Sequence, residues 1–142
     1  MTDAENTAPY RLDDQVGFLL RRALQRHMAL FGRAIPDLTS MQFATLAKLA
    51  EAGALSQNAL GRLTAMDGAT IKGVVDRLGK RGLVATENDK TDRRRTIVSL
   101  TKEGRALFAA LEAQGRAVTS QTLAPLGESE QALFLHLLRK LT

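Results

Sequence analysis

Apolar residues along this 142-residue chain recur at helical spacing, then at strand spacing, then at helical spacing again. Val16, Leu19, Leu20, Ala23, Leu24, Met28 and Phe31 follow at intervals of three and four, which predicts an amphipathic helix from Asp13 to about Ala34, ended by Pro36. In Leu38-Thr39-Ser40-Met41-Gln42-Phe43 a capping box is written out: Thr39 as N-cap, Gln42 at N3, and Leu38 with Phe43 as a hydrophobic staple. The helix it starts runs to about Ala52 and stops at Gly53. Ser56 caps a third, short helix through about Thr64, with Leu55 and Leu60 as a second staple. A turn of Ala65, Met66 and Asp67 leads into a fourth helix, Gly68 to Arg81, which sets Ile71, Val74, Val75 and Leu78 on one face and ends at Gly82. The third and fourth segments form a helix–turn–helix with core contacts expected through Leu60, Leu63 and Met66.

Beyond Gly82, the segments Leu83 to Glu87 and Arg95 to Leu100 are rich in β-branched residues, and the polar stretch Asn88 to Arg94 between them suits a hairpin tip. This is a wing. Thr101 then caps a long helix, Lys102 to about Leu123, carrying Leu107, Leu111 and Val118; Pro125-Leu126-Gly127 breaks the chain before a last helix, Glu128 to Leu141, striped by Leu133, Phe134, Leu137, Leu138 and Leu141. Residues 1–10 are polar and aperiodic and read as a loose arm. The fold class is mainly α with a small β-hairpin wing (α+β): a winged helix–turn–helix at 38–100, flanked by an arm and first helix at 1–37 and by C-terminal helices at 101–142, all in one compact domain. The terminal helices carry apolar stripes outside the central unit, and a second copy of the chain would cover them, so a homodimer is expected.

Composition narrows the function. With 44% apolar and 25% charged residues the chain matches an ordinary soluble domain. A chain of this size buries roughly 68–70% of its unfolded surface without staples. Cysteine is absent, which excludes zinc ribbons, iron–sulfur clusters and thiol chemistry; His27 and His136 lie far apart, so no metal and no cofactor are expected. No apolar run approaches the roughly 20 residues of a membrane span, and MTDAENTAPYRLDD has neither part of a signal peptide, so no membrane partner and a cytoplasmic location are expected. Enzyme signatures such as G-x-S-x-G, H-E-x-x-H and the phosphate-binding glycine loops are missing, so no enzymatic activity is expected. The net charge is +5, and Asp67 to Arg105 alone holds ten basic residues against six acids. Charge gathered on one segment is the footprint of a polyanion binder.

The outer face of the fourth helix presents Ala69, Thr70, Lys72, Gly73 and Arg77, small or polar residues suited to a major groove about 12 Å wide. Thr70 can meet a thymine methyl or a phosphate, and Lys72 guanine O6/N7 or a phosphate. Gln57 and Asn58, opening the third helix, join them as candidate contacts to double-stranded DNA. At the wing tip, Asp92-Arg93-Arg94-Arg95 places three guanidiniums where a minor groove is most negative, with a carboxylate positioned to orient one of them.

The segments Leu55 to Leu63, Ala69 to Leu78, Lys80-Arg81-Gly82-Leu83-Val84, Asp92-Arg93-Arg94 and Val98-Ser99-Leu100-Thr101 together resemble the MarR family of bacterial winged-helix transcription regulators, over roughly residues 12–142. The resemblance implies an obligate homodimer with the terminal helices interleaved, two lobes on successive major grooves of a pseudo-palindrome, and a small ligand that changes their spacing. The family's wing pattern of Asp, any residue, Arg falls on Asp92 and Arg94; the peroxide-sensing branch uses a cysteine, which this chain lacks. Chains of this pattern resemble regulators of aromatic-acid breakdown, which implies an aromatic acid or its coenzyme A thioester as effector. Its site is expected at the junction of lobe and dimer helices, with His27 or an arginine such as Arg22 or Arg26 meeting the anion and Phe31, Met41, Phe43 and Met66 as walls. A packed histidine and solvated arginines remain the alternative there. The other functional readings are a constitutive architectural DNA binder and a helical interaction module, the second of which leaves Arg93 to Arg95 unexplained.

Overall fold

The computed structural model describes residues 8–142, so most of the expected arm lies outside it. The helices are α1 (Val16–Ala34), α2 (Ser40–Ala52), α3 (Gln57–Leu63), α4 (Gly68–Lys80), α5 (Lys102–Leu123) and α6 (Glu128–Lys140), with strands β1 (Leu55–Ser56), β2 (Val84–Asn88) and β3 (Thr96–Leu100). Local chemistry sets most of these boundaries. The Thr39 hydroxyl accepts from Gln42 N and the Gln42 amide oxygen from Thr39 N, both at 3.0 Å, closing the capping box. Ser56 and Thr101 cap α3 and α5 in the same way, accepting from Ala59 N and Gly104 N. Gly53 and Gly82, at φ +79° and +72°, end α2 and follow α4 in positive-φ conformations that glycine adopts without steric penalty.

Three expectations are corrected. The first helix begins at Val16 instead of Asp13, because Leu12–Asp14 form a separate 3₁₀ turn and Gln15 is extended, its amide bonding back to Arg11 O at 3.0 Å. Leu63 is 54% exposed, not core: it ends the seven-residue α3, and the chain turns away at Thr64 and Ala65 while Leu60 goes inside. The wing is not a lone hairpin but a three-stranded antiparallel sheet, ordered β1-β3-β2, since Leu55 and Ser56 pair with Val98 and Ile97.

Ile35, Leu46, Leu60, Ile71, Leu78 and Val98 are sealed in one core, which also takes in Phe31 of α1 and Val118 of α5. The last turn of α1 and the middle of α5 are therefore part of the lobe. At its other end α5 is joined to the root of the wing: Thr101 Oγ1 donates to Gly82 O (2.6 Å) and Thr101 N to Leu83 O (3.1 Å). A side chain on Gly104 would run into the Leu83 carbonyl, so this approach requires glycine.

Candidate nucleic-acid interface and effector cleft

Helix α4 has two faces. Ile71, Val74, Val75 and Leu78 are buried, whereas Ala69, Lys72, Asp76 and Arg77 are exposed and Thr70 and Gly73 half-buried among them. Asp67 caps it, accepting from Thr70 N at 2.7 Å, and that bond holds the Asp67 carboxyl below the usual carboxylate range. Lys72 Nζ donates to Asp76 at 2.9 Å, and Asp76 is lowered by the same bond. Asn58 is exposed on α3 and lines a cleft with Arg62, Met66 and Gly68, which brings it to the N-terminal end of α4; Gln57 beside it is half-buried. Arg62 was not anticipated. A second shallow cleft is lined by Asp76 and Lys80 of α4 and Thr86 of β2, so α4 and the wing border each other on their polar sides.

Two carboxylates shape the wing tip. Asp92 accepts from both Arg94 N (3.1 Å) and Arg94 Nε (3.2 Å), leaving the outer nitrogens of a side chain that is 92% exposed. Asp89, missed from sequence, accepts from Thr91 N (3.0 Å) and Thr91 Oγ1 (2.9 Å) and faces Arg95 Nη1 at 3.7 Å. The Thr91 bonds, assisted by Arg95, lower its pKa. Backbone bonds Asp89 N to Arg95 O and Arg95 N to Asp92 O, each 2.9 Å, close the turn. Arg93 is exposed beside them. The tip thus offers arginines from a backbone already fixed by its own acids.

At the other end of the molecule α1 grips α5. Arg26 donates to the carbonyls of Thr122 (2.6 Å) and Gln121 (2.9 Å) in the last turn of α5, and His27 Nδ1 lies 2.8 Å from Thr122 Oγ1. His27 opens onto a cleft of about 320 Å³ between Leu20 and Leu24 of α1, Thr119 and Thr122 of α5, and Phe134 and Leu138 of α6. One turn along α1, Phe31 meets Phe43 edge-on with ring centroids 5.7 Å apart, and Phe43 lies 5.5 Å from Phe108.

The seven expected effector residues are not all brought together. Phe31 is sealed in the core by its contact with Phe43, Met41 is exposed at the start of α2, and Met66 packs on the core from the α3–α4 turn, so none of these walls the His27 cleft. Arg22 lies over the Phe18 ring at 5.8 Å, leaving Arg26 as the arginine that reaches the neighbourhood of His27.

A model of the MarR family matches residues 37–95, the lobe from the loop before α2 to the wing tip. Over 139 residues the chain is 45% identical to the HTH-type transcriptional repressor NicR of Pseudomonas putida, covering 96% of this chain and 87% of NicR. The chain belongs to the MarR family. Two solved MarR-type structures share its fold along nearly their whole length. Bordetella bronchiseptica BpsR, whose DNA binding is regulated by 6-hydroxynicotinic acid, superposes with a TM-score of 0.91 at 42% identity, covering 94% of this chain and 97% of BpsR. Streptomyces coelicolor PcaV, solved with its natural ligand, gives 0.89 at 35% identity, covering 95% and 96%. In this MarR chain the lobe has a dense core, whereas α6 buries no residue of its own.

Proposed function

We propose that this MarR-family chain is a ligand-responsive DNA-binding transcriptional regulator, a cytoplasmic repressor that binds a pseudo-palindromic operator as a homodimer. The observation that carries the reading is the placement of an exposed recognition face on α4 beside a wing whose arginines are held by Asp89 and Asp92. In this reading α4 enters the major groove and Arg93 and Arg94 the adjoining minor groove, with half-sites about 10 bp apart. The names of NicR and BpsR support a repressor whose DNA binding answers to a small molecule. The effector is an aromatic carboxylate or its coenzyme A thioester, its anion meeting His27 with Arg26 beside it and its ring lying in the apolar cleft between Leu20, Leu24, Phe134 and Leu138. Such a ligand releases DNA only by binding the DNA-incompetent arrangement more tightly; reversing a 1:99 population takes a preference of about 10⁴-fold.

The test is a duplex selected from a random-sequence pool, titrated with protein at two salt concentrations with and without 6-hydroxynicotinic acid, benzoate-type acids and their coenzyme A thioesters. Tight, salt-sensitive binding relieved by one of these acids, with relief lost in His27→Ala and Arg26→Ala, supports the reading. Binding that no acid relieves leaves a constitutive DNA-binding protein, and no selection at all removes the regulator.

A further inference from the structure

On the exposed face of α4 the cations Lys72 and Arg77 are in different states. Lys72 is tied to Asp76 one turn further on, Nζ to Oδ2 at 2.9 Å. Among the described residues no carboxylate is paired with Arg77. Its guanidinium folds back along the helix instead: a Cβ built on Gly73 would stand 3.3 Å from Arg77 Nη1 and 3.8 Å from Cζ. Long helical side chains lean over the preceding turn in this way, and at 73 that turn has no side chain to meet them. Glycine is a poor choice inside a helix, yet Gly73 has no positive φ to justify it, and the three atoms nearest to a Cβ there all belong to the Arg77 guanidinium.

We propose that Gly73 is a seat for Arg77, that the seated guanidinium reads a guanine, and that Asp76 restrains Lys72 from acting as a general phosphate contact. The inference rests on α4 being the DNA-reading helix. A guanidinium matches guanine O6 and N7 bidentately only when its plane arrives from one direction, and a bare backbone beneath it fixes that direction. An unrestrained ammonium does the opposite, since it gains from any phosphate and tightens binding to every sequence alike. Paired with Asp76, Lys72 adds no net charge to the helix, and the carboxylate itself accepts from cytosine N4 when a C lies opposite.

The experiment compares the full-length protein with Arg77→Lys, Gly73→Val, Gly73→Ala and Asp76→Asn on a selected duplex, on all its single-base-pair variants and on a scrambled duplex, across a salt series. A wild-type protein that selects no sequence defeats the regulator reading itself. Given a selected sequence, Arg77→Lys and Gly73→Val are each expected to lose preference for the same G·C pair by roughly 5- to 150-fold with the salt slope unchanged. Gly73→Ala, which displaces the guanidinium only slightly, gives a smaller loss at that pair and serves if the valine variant does not fold. Asp76→Asn is expected to bind the scrambled duplex more tightly and to steepen the salt slope by about 0.9. Arg77 acting as a phosphate clamp predicts a different pattern: Arg77→Lys and both Gly73 variants keep every base preference. That result, or an Asp76→Asn protein no tighter on scrambled DNA, overturns the proposal.

Discussion

Arg94 and Asp92 show what one residue can reveal alone. Their spacing of two within a polar turn made the pairing legible in sequence, because so short a loop leaves the carboxylate few other donors. The link from Asp89 to Arg95 was not legible, since only the hairpin register that sets Asn88 opposite Thr96 brings them together, although the Asp89–Thr91 bonds span two residues like those of Asp92. Arg94→Ala should weaken binding to all sequences and flatten the salt slope by about one, read by fluorescence anisotropy across a potassium chloride series; unchanged affinity and slope would remove the wing from the DNA interface. The depressed pKa of Asp89 has its own signature. A carboxyl lowered in the folded state contributes stability above its ordinary unfolded value, near pH 4, and that contribution is lost as pH falls through the folded value. Asp89→Asn should therefore melt less steeply with acid than wild type between pH 6 and pH 3, whereas parallel melting curves would show that its bonds do not outlast thermal motion.

Elements were legible where their ends are written locally. Thr39 with Gln42, Ser56 and Thr101 cap helices through bonds spanning three residues, so a short window of sequence contains the whole device. Strand β1 escaped because it is two residues long and its partners, Ile97 and Val98, come some forty residues later. Leu63 was misplaced for a related reason: the helical period continues through it, but the positive φ of Ala65 turns the chain before it can be covered. Contact between α5 and the wing root was equally invisible, as nothing around Gly104 announces the Leu83 carbonyl. Gly104→Ala improves helix propensity by about 1 kcal/mol yet should destabilise the protein by roughly 1–3 kcal/mol through overpacking, measured by urea unfolding. A variant as stable as wild type would mean that α5 can back away from the sheet without loss.

For the molecule as a whole, the stripes of the terminal helices were plain in sequence, but not their division of labour. Phe31 and Val118 belong to the lobe core, whereas Leu24, 57% exposed, and Leu141, 71% exposed, stay largely uncovered by the described residues. An apolar surface of that extent predicts a dimer with no stable monomer, a melting temperature that rises with protein concentration, and aggregation or unfolding when residues 128–142 are removed. A folded monomer in sedimentation velocity would contradict this. The grip of Arg26 and His27 on the end of α5 also has a mechanical meaning. With 22 residues α5 is a rod of about 33 Å, held at one end by α1 and joined at the other to the wing root through Thr101. A tilt of about 5° at the gripped end would sweep the far end through about 3 Å, a large fraction of the roughly 6 Å width of a minor groove. A molecule bound beside His27 would thus act at the short arm of a lever whose long arm carries the arginines.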